Sequence, residues 1–295
     1  MKGFKELLKE KKVLIADGAW GTELSKRGLQ PGDCPEKWNL DHAADVKAVA
    51  AAYVQAGADV ILSNTFGGNP LKLAKAGLEQ RVEEVNRLGA SISKEAARGK
   101  ALVFASVGPT GKFMEPLGTI TEQQMVECFA RQARALAEGG ADGIVIETFT
   151  DLAEARAALR AVKENTALPA AISMTFSRGP AGFATMMGVK PQQAAEVLEA
   201  AGADIVGSNC GTGIKDMIEV ARLMRPATSL PLWIKPNAGL PELVGGKTVF
   251  RETPAEMAKH FKALVDAGAN VIGGCCGTTP EHIRMLDAER KKMKG

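Results

Sequence analysis

Apolar and polar residues alternate along this chain in blocks. Four times a helix-like stretch ends in Gly-Ala-Asp or Gly-Ala-Asn and passes into a β-branched run. The four are Gly57-Ala58-Asp59-Val60-Ile61-Leu62, Gly140-Ala141-Asp142-Gly143-Ile144-Val145-Ile146, Gly202-Ala203-Asp204-Ile205-Val206 and Gly268-Ala269-Asn270-Val271-Ile272. The glycine fits the left-handed position that closes a helix, and the apolar run fits a parallel strand buried on both faces. Between these units lie Val13-Leu14-Ile15-Ala16, Leu102-Val103-Phe104-Ala105, Ala170-Ala171-Ile172-Ser173-Met174 and Leu232-Trp233-Ile234. Helix-compatible segments separate the runs, among them 121–138, 152–164, 191–201 and 254–267. Eight alternating βα units predict an α/β protein, a (β/α)8 TIM barrel. With no linker, low-complexity tract or composition shift, residues 1–295 read as a single domain. The alternative is a doubly wound open sheet. Against it, the first strand–turn, Asp17-Gly18-Ala19-Trp20-Gly21-Thr22, lacks the G-x-G-x-x-G fingerprint.

A barrel works at the C-terminal ends of its strands, and there the chain concentrates its chemistry. Cys210 follows Asp204-Ile205-Val206-Gly207, and Cys275 and Cys276 follow Asn270-Val271-Ile272 through Gly273-Gly274. Strands six and eight share a side-chain layer, so the three thiols are expected to converge. Buried free cysteine is the ordinary reading of a lone thiol. Three at two strand ends, flanked by glycines, point instead to a metal centre with three protein ligands and one open position. Thiolates select zinc over magnesium or calcium. Three of them on Zn²⁺ give a net charge of −1, which suits activation of an incoming thiol better than hydrolysis. Cys34 reads as a loop thiol and Cys128 as helix packing.

Asp17 and Glu147 are the carboxylates at strand ends. Asp before Gly is a common turn residue; facing the mouth, the pair would instead grip a substrate ammonium. Backbone N–H groups from Gly18 to Gly21 would hold a carboxylate. Asn64, Asn209 and Asn237 are candidates for orienting the ligand or the metal's neighbours.

Composition narrows the classes further. Hydrophobic residues make up 45% and aromatics 5%, and the net charge of +3 is spread along the chain. That distribution gives no case for nucleic acid or a membrane surface. The one dense basic run, Arg290-Lys291-Lys292-Lys294, reads as a solvated helix end. The charged N-terminus lacks a secretory h-region and no apolar stretch is long enough to span a bilayer. Five cysteines do not form a disulfide framework, so the cytoplasm is the expected compartment.

Together these residues resemble the homocysteine S-methyltransferase family, the homocysteine-binding zinc barrels. The resemblance runs from Asp17-Gly18-Ala19-Trp20-Gly21-Thr22 through Asn64-Thr65-Phe66, Gly108-Pro109-Thr110-Gly111, Glu147-Thr148-Phe149, Asn209-Cys210-Gly211 and Lys235-Pro236-Asn237-Ala238-Gly239 to Gly273-Gly274-Cys275-Cys276-Gly277. It implies Zn²⁺ on Cys210, Cys275 and Cys276, homocysteine sulfur in the fourth position, and Asp17 and Glu147 on the amino group. Cys34-Pro35-Glu36-Lys37-Trp38-Asn39-Leu40, Asn64-Thr65-Phe66-Gly67-Gly68-Asn69 and Glu147-Thr148-Phe149-Thr150-Asp151 look most like the homocysteine domain of cobalamin-dependent methionine synthase. The implied donor is methylcobalamin, and with no Asp-x-His-x-x-Gly cobalamin signature in the chain it is expected on a separate corrinoid protein. A small sulfonium, S-methylmethionine or S-adenosylmethionine, is the rival donor. The same residues would also suit a corrinoid-linked transferase or demethylase with a different acceptor, or a non-catalytic zinc- or thiol-binding subunit. Betaine is disfavoured, because the family's tyrosine after the strand-four glutamate is Thr148 and the lone tyrosine, Tyr53, falls in a helical segment.

Overall fold

Each apolar run becomes a strand of one sheet. In chain order the strands are β1 (Leu14–Ile15), β2 (Val60–Ile61), β3 (Leu102–Val107), β4 (Gly143–Phe149), β5 (Ala170–Met174), β6 (Ile205–Gly213), β7 (Leu232–Asn237) and β8 (Ala269–Ile272). The computed structural model describes residues 2–245 and 247–293; Met1 and Lys294, the last of the basic run, lie outside them. The strands run parallel in the order β1-β8-β7-β6-β5-β4-β3-β2. A parallel bridge between Ala16 and Val60 joins the two ends, with Asp17 N–H on Val60 O at 3.0 Å and Asp59 N–H on Ile15 O at 2.7 Å. The ring therefore closes as a barrel, and the open-sheet alternative falls.

The fourfold Gly-Ala-Asp/Asn repeat has a structural cause at the bottom of the barrel. Gly57, Gly140, Gly202 and Gly268 all take φ between +84° and +100°, where a side chain would be strained. The acidic or amide residue two positions on accepts a backbone N–H from the preceding strand. Asp59 takes Ile15 N–H (2.8 Å), Asp142 Val103 N–H (2.8 Å), Asp204 Ala170 N–H (2.9 Å) and Asn270 Leu232 N–H (2.9 Å). Each also receives a cation from the helical segment leading into that strand: Lys11, Lys94, Lys163 and Arg225. One sequence device thus ties four of the barrel's eight adjacent strand pairs at the stable end.

The expected helices are present. Glu122–Glu138 is capped reciprocally by Thr121 and Gln124, and Leu152–Asn165 and Pro191–Ala200 follow their strands. The expected helix over 254–267 is two helices, Pro254–Lys259 and Phe261–Asp266. At His260 the N–H bonds Met257 O at 3.1 Å, a tightened i−3 turn that interrupts the α ladder.

The interior is layered. Phe4, from the helix Phe4–Lys11, closes the bottom against Phe104 (ring centroids 5.4 Å apart), which stacks on Trp233 at 5.7 Å. Val145, Ala171 and Val271 share this apolar cluster. Strand periodicity puts residues two apart on one face, so the next interior layer toward the mouth is Ser106, Glu147, Ser173, Asn209 and Lys235. The core therefore turns polar just where the strands end.

His282 fastens the last helix, Pro280–Lys292, to the rim. Its Nδ1 accepts from Thr279 N–H (3.1 Å), which requires Nε2–H to donate to Glu252 O (3.0 Å). Burial holds its pKa below the ordinary 6.5. A depressed folded-state pKa contributes stability above 6.5 that is lost as pH falls through the folded value. The urea midpoint is expected to drop between pH 7.5 and 5.5, and to drop less in His282→Gln. Equal drops in both proteins would remove His282 from the acid response.

Candidate metal centre

Two irregular strand ends build the site. The pairing of β6 with β7 shifts register between Asn209 and Gly213, and Cys210 on that bulge has φ +61°. Gly211 beside it has φ +72°, and a Cβ there would lie 2.4 Å from Phe176 O. The pairing of β4 with β5 shifts between Ile146 and Phe149, where Thr148 has φ +67°. Non-glycine residues in this region cost about 1–3 kcal/mol each and persist only when their surroundings over-determine them. Asn209 supplies that constraint. Its Oδ1 accepts from Thr148 N–H (2.9 Å) and Ser173 Oγ (2.7 Å), while its Nδ2 donates to Thr148 Oγ1 (2.8 Å) and to Cys275 Sγ (3.6 Å).

Cys275 and Cys276 lie just beyond β8, in a segment threaded between the ends of β1 and β7. A Cβ on Gly273 would sit 2.6 Å from Asp17 O, and one on Gly274 2.3 Å from Thr278 Oγ1. The bare backbone instead bonds its neighbours: Gly274 N–H to Asp17 O (2.9 Å), Cys275 N–H to Pro236 O (2.7 Å) and Cys276 N–H to Asn237 Oδ1 (3.1 Å).

The three sulfurs lie within 4.8 Å of one another, with Cys210 and Cys276 at 3.8 Å. A tetrahedral ion with bonds of about 2.3 Å to sulfur needs its thiolates roughly 3.8 Å apart, so the spacing fits such a metal. Thiol hydrogen bonds from Cys275 and Cys276 draw the Cys210 pKa down, and the same bonds to Cys210 push theirs up. Cys128 is buried in its helix and Cys34 lies in a loop, both outside the cluster.

A cavity of about 520 Å³ opens above the sulfurs. Of the residues expected from sequence, Gly18, Asn64, Glu147, Cys210, Cys275 and Cys276 line it, while Asp17, Asn209 and Asn237 stand behind its wall. Glu147 is buried, its Oε1 bonded by Ser106 Oγ at 2.5 Å. Burial raises its pKa against the opposing charge of Lys235. Asn64 Nδ2 bonds Pro35 O at 2.7 Å and Asn39 Oδ1 at 3.0 Å, fixing the segment that roofs the cavity. Asp17 is wholly engaged: Oδ1 takes Lys235 Nζ at 2.7 Å, and Oδ2 takes Trp20 Nε1 (2.8 Å) and Leu62 N–H (2.7 Å). Burial favours neutral Lys235, but Asp17 and Glu147 outweigh it and raise its pKa. Sequence reasoning passed over Lys235, although a lysine closing the apolar run Leu232-Trp233-Ile234 is the available signal. It also passed over Cys34 at the cavity edge, which only the roofing segment brings there.

Three comparisons bear on this arrangement. A family model described as homocysteine S-methyltransferase matches residues 14–289. Curated methionine synthases from Mycobacterium leprae and Mycobacterium tuberculosis are 29% and 30% identical over 94% and 96% of the chain, which spans 24% and 25% of their lengths. The chain therefore covers about a quarter of these relatives. The metallated form of the homocysteine methyltransferase MmuM from Escherichia coli superposes with a TM-score of 0.82 at 23% identity, over 96% of this chain and 98% of that one. Its oxidized form gives 0.83 over 98% and 99%. At this identity the likeness concerns the fold.

Proposed function

The chain belongs to the homocysteine S-methyltransferase family, and from that premise we propose that it moves a methyl group to the thiol of homocysteine, giving methionine, with zinc on Cys210, Cys275 and Cys276. The observation that carries this reading is the convergence of three thiols with Glu147 and Lys235 on one cavity. When bound there, zinc would offer its fourth position to the substrate sulfur and lower that thiol's pKa while leaving the sulfur electron-rich.

The chain's own residues bind and orient. Ser106 holds one Glu147 oxygen, which leaves the other for the substrate ammonium. Gly18 and Ala19 line the cavity, and the Ala19 N–H is taken by Thr278 Oγ1 at 3.1 Å, so the turn after β1 shapes the pocket wall. Asn209 and Asn237 fix the ligand loop through Cys275 Sγ and Cys276 N–H, and Asn64 fixes the roof. Asp17 acts through Lys235. The substrate sulfur then attacks the methyl carbon in line as the donor departs with the bonding pair, and the held geometry supplies much of the rate.

The donor in this proposal is methylcobalamin on a separate corrinoid protein. Among the described residues nine large apolar side chains are exposed, and eight follow C-terminal strand ends: Phe66, Phe113, Leu117, Met186, Met187, Leu240, Leu243 and Val244. A mouth rimmed in this way suits a macromolecular donor. Tyr53, buried with its hydroxyl on Ala19 O at 2.9 Å, adds nothing to a quaternary-ammonium site. The test is methionine formation by the zinc-loaded protein with methylcobalamin, S-methylmethionine and S-adenosylmethionine. Turnover is expected with the corrinoid; turnover with a sulfonium alone would move the donor assignment, and none with any donor would overturn methyl transfer. The compartment proposed is the cytoplasm, whose reducing poise keeps such thiols free. Among the described residues no helix is long and apolar enough to cross a membrane.

A further inference from the structure

Lys235 so far serves only as the partner of Asp17. Its position asks for more. The side chain is 2% exposed, it closes the polar interior layer, and it lines the cavity together with Glu147 and Cys275. An ammonium carries three N–H donors, and among the described residues Asp17 Oδ1 is the hydrogen-bond acceptor of Nζ. A salt bridge to a structural carboxylate uses one donor and leaves two for a ligand. Asp17 is in turn anchored by Trp20 Nε1 and Leu62 N–H. The ammonium is thus fixed on a rigid mount, with no rotamer freedom left to lose on binding. Opposite charges therefore stand together in one cavity: a Glu147 oxygen that meets no donor among the described residues, and a lysine cation with N–H groups to give. That pairing complements the two ends of a zwitterionic amino acid.

We propose that Lys235 is a specificity-determining residue that binds the α-carboxylate of the amino-acid thiol while Glu147 binds its ammonium. This rests on the homocysteine reading and deepens it. Asp17, in this arrangement, is a positioning residue for Lys235. A lysine serving only to neutralise Asp17 would affect every thiol ligand alike, whereas a carboxylate-binding lysine discriminates among them.

The test is calorimetric titration of the zinc-loaded protein with homocysteine, with its decarboxylated analogue aminopropanethiol, and with its deaminated analogue mercaptobutyrate. In Lys235→Met the affinity for homocysteine and mercaptobutyrate is expected to fall about 10- to 100-fold, the worth of a charge-assisted hydrogen bond, with aminopropanethiol changed less than about twofold. Zinc content, measured in the same samples, is expected to stay at that of the wild type. Should the single variant fail to fold with Asp17 left unpaired, the double variant Asp17→Asn, Lys235→Met removes the orphaned charge and is expected to give the same split. Equal losses for all three thiols, or no loss for homocysteine, would overturn the assignment while leaving methyl transfer intact. Failure of the wild type to bind homocysteine would overturn both.

Discussion

Replacing Cys210 by alanine is expected to strip the metal and reduce methyl transfer to background. Three thiols lie within 4.8 Å of one another, close enough to hold one ion between them. Zinc sites of this kind release on the order of 10–16 kcal/mol on binding, so removing one ligand forfeits roughly 3 kcal/mol, at least about a hundredfold in affinity. Alanine keeps a Cβ in the same left-handed backbone position that Cys210 occupies at φ +61°, so the variant isolates the thiol from the strain. Cys128→Ala is the matched control: a buried helix thiol outside the cluster, expected to keep full metal. Metal analysis and methionine formation on the same samples decide the matter. Stoichiometric zinc with retained activity in Cys210→Ala would end the three-thiolate mechanism.

Asp17→Ala is expected to be the most destabilising single change among the site residues. The carboxylate is fully buried and accepts three hydrogen bonds, from Lys235, Trp20 and Leu62. Truncation leaves a buried lysine cation uncompensated, a mechanism worth about 3–5 kcal/mol. In a chain of this size that is a fall of about 5–8 °C in melting temperature. Asp17→Asn, which keeps one acceptor oxygen and loses the charge and the other acceptor, is expected to lie between the wild type and alanine. Pairing Asp17→Ala with Lys235→Met should recover much of the loss, because the cost belongs to the orphaned charge more than to the missing contact. Denaturant midpoints for the four proteins test this. Additive losses in the double variant would mean that the two residues are not a pair.

The helix closures and strand starts were legible because they are local. The left-handed glycines at 57, 140, 202 and 268 and the apolar runs after them need nothing from the rest of the chain to be recognised. The same holds for the strand-end position of Cys210 and for the metal chemistry of a cysteine pair after Gly273-Gly274. What the repeat is for was not legible, since each Asp or Asn serves the strand before its own, some 34 to 44 residues away.

By itself, then, the sequence determined the eightfold alternation, the placing of thiols and carboxylates at strand ends, and the kind of metal the thiols suit. These follow from backbone periodicity and from the chemistry of single residues. Only the tertiary structure decided which polar groups face one another. Lys235 and Asp17 are 218 positions apart, and their pairing exists because barrel closure sets β7 near β1, with β8 between them. That contact gives Asp17 a buried cation as its partner, while Glu147 lines the cavity. A sequence shows what each residue can offer; the closed ring fixes which offers are already taken.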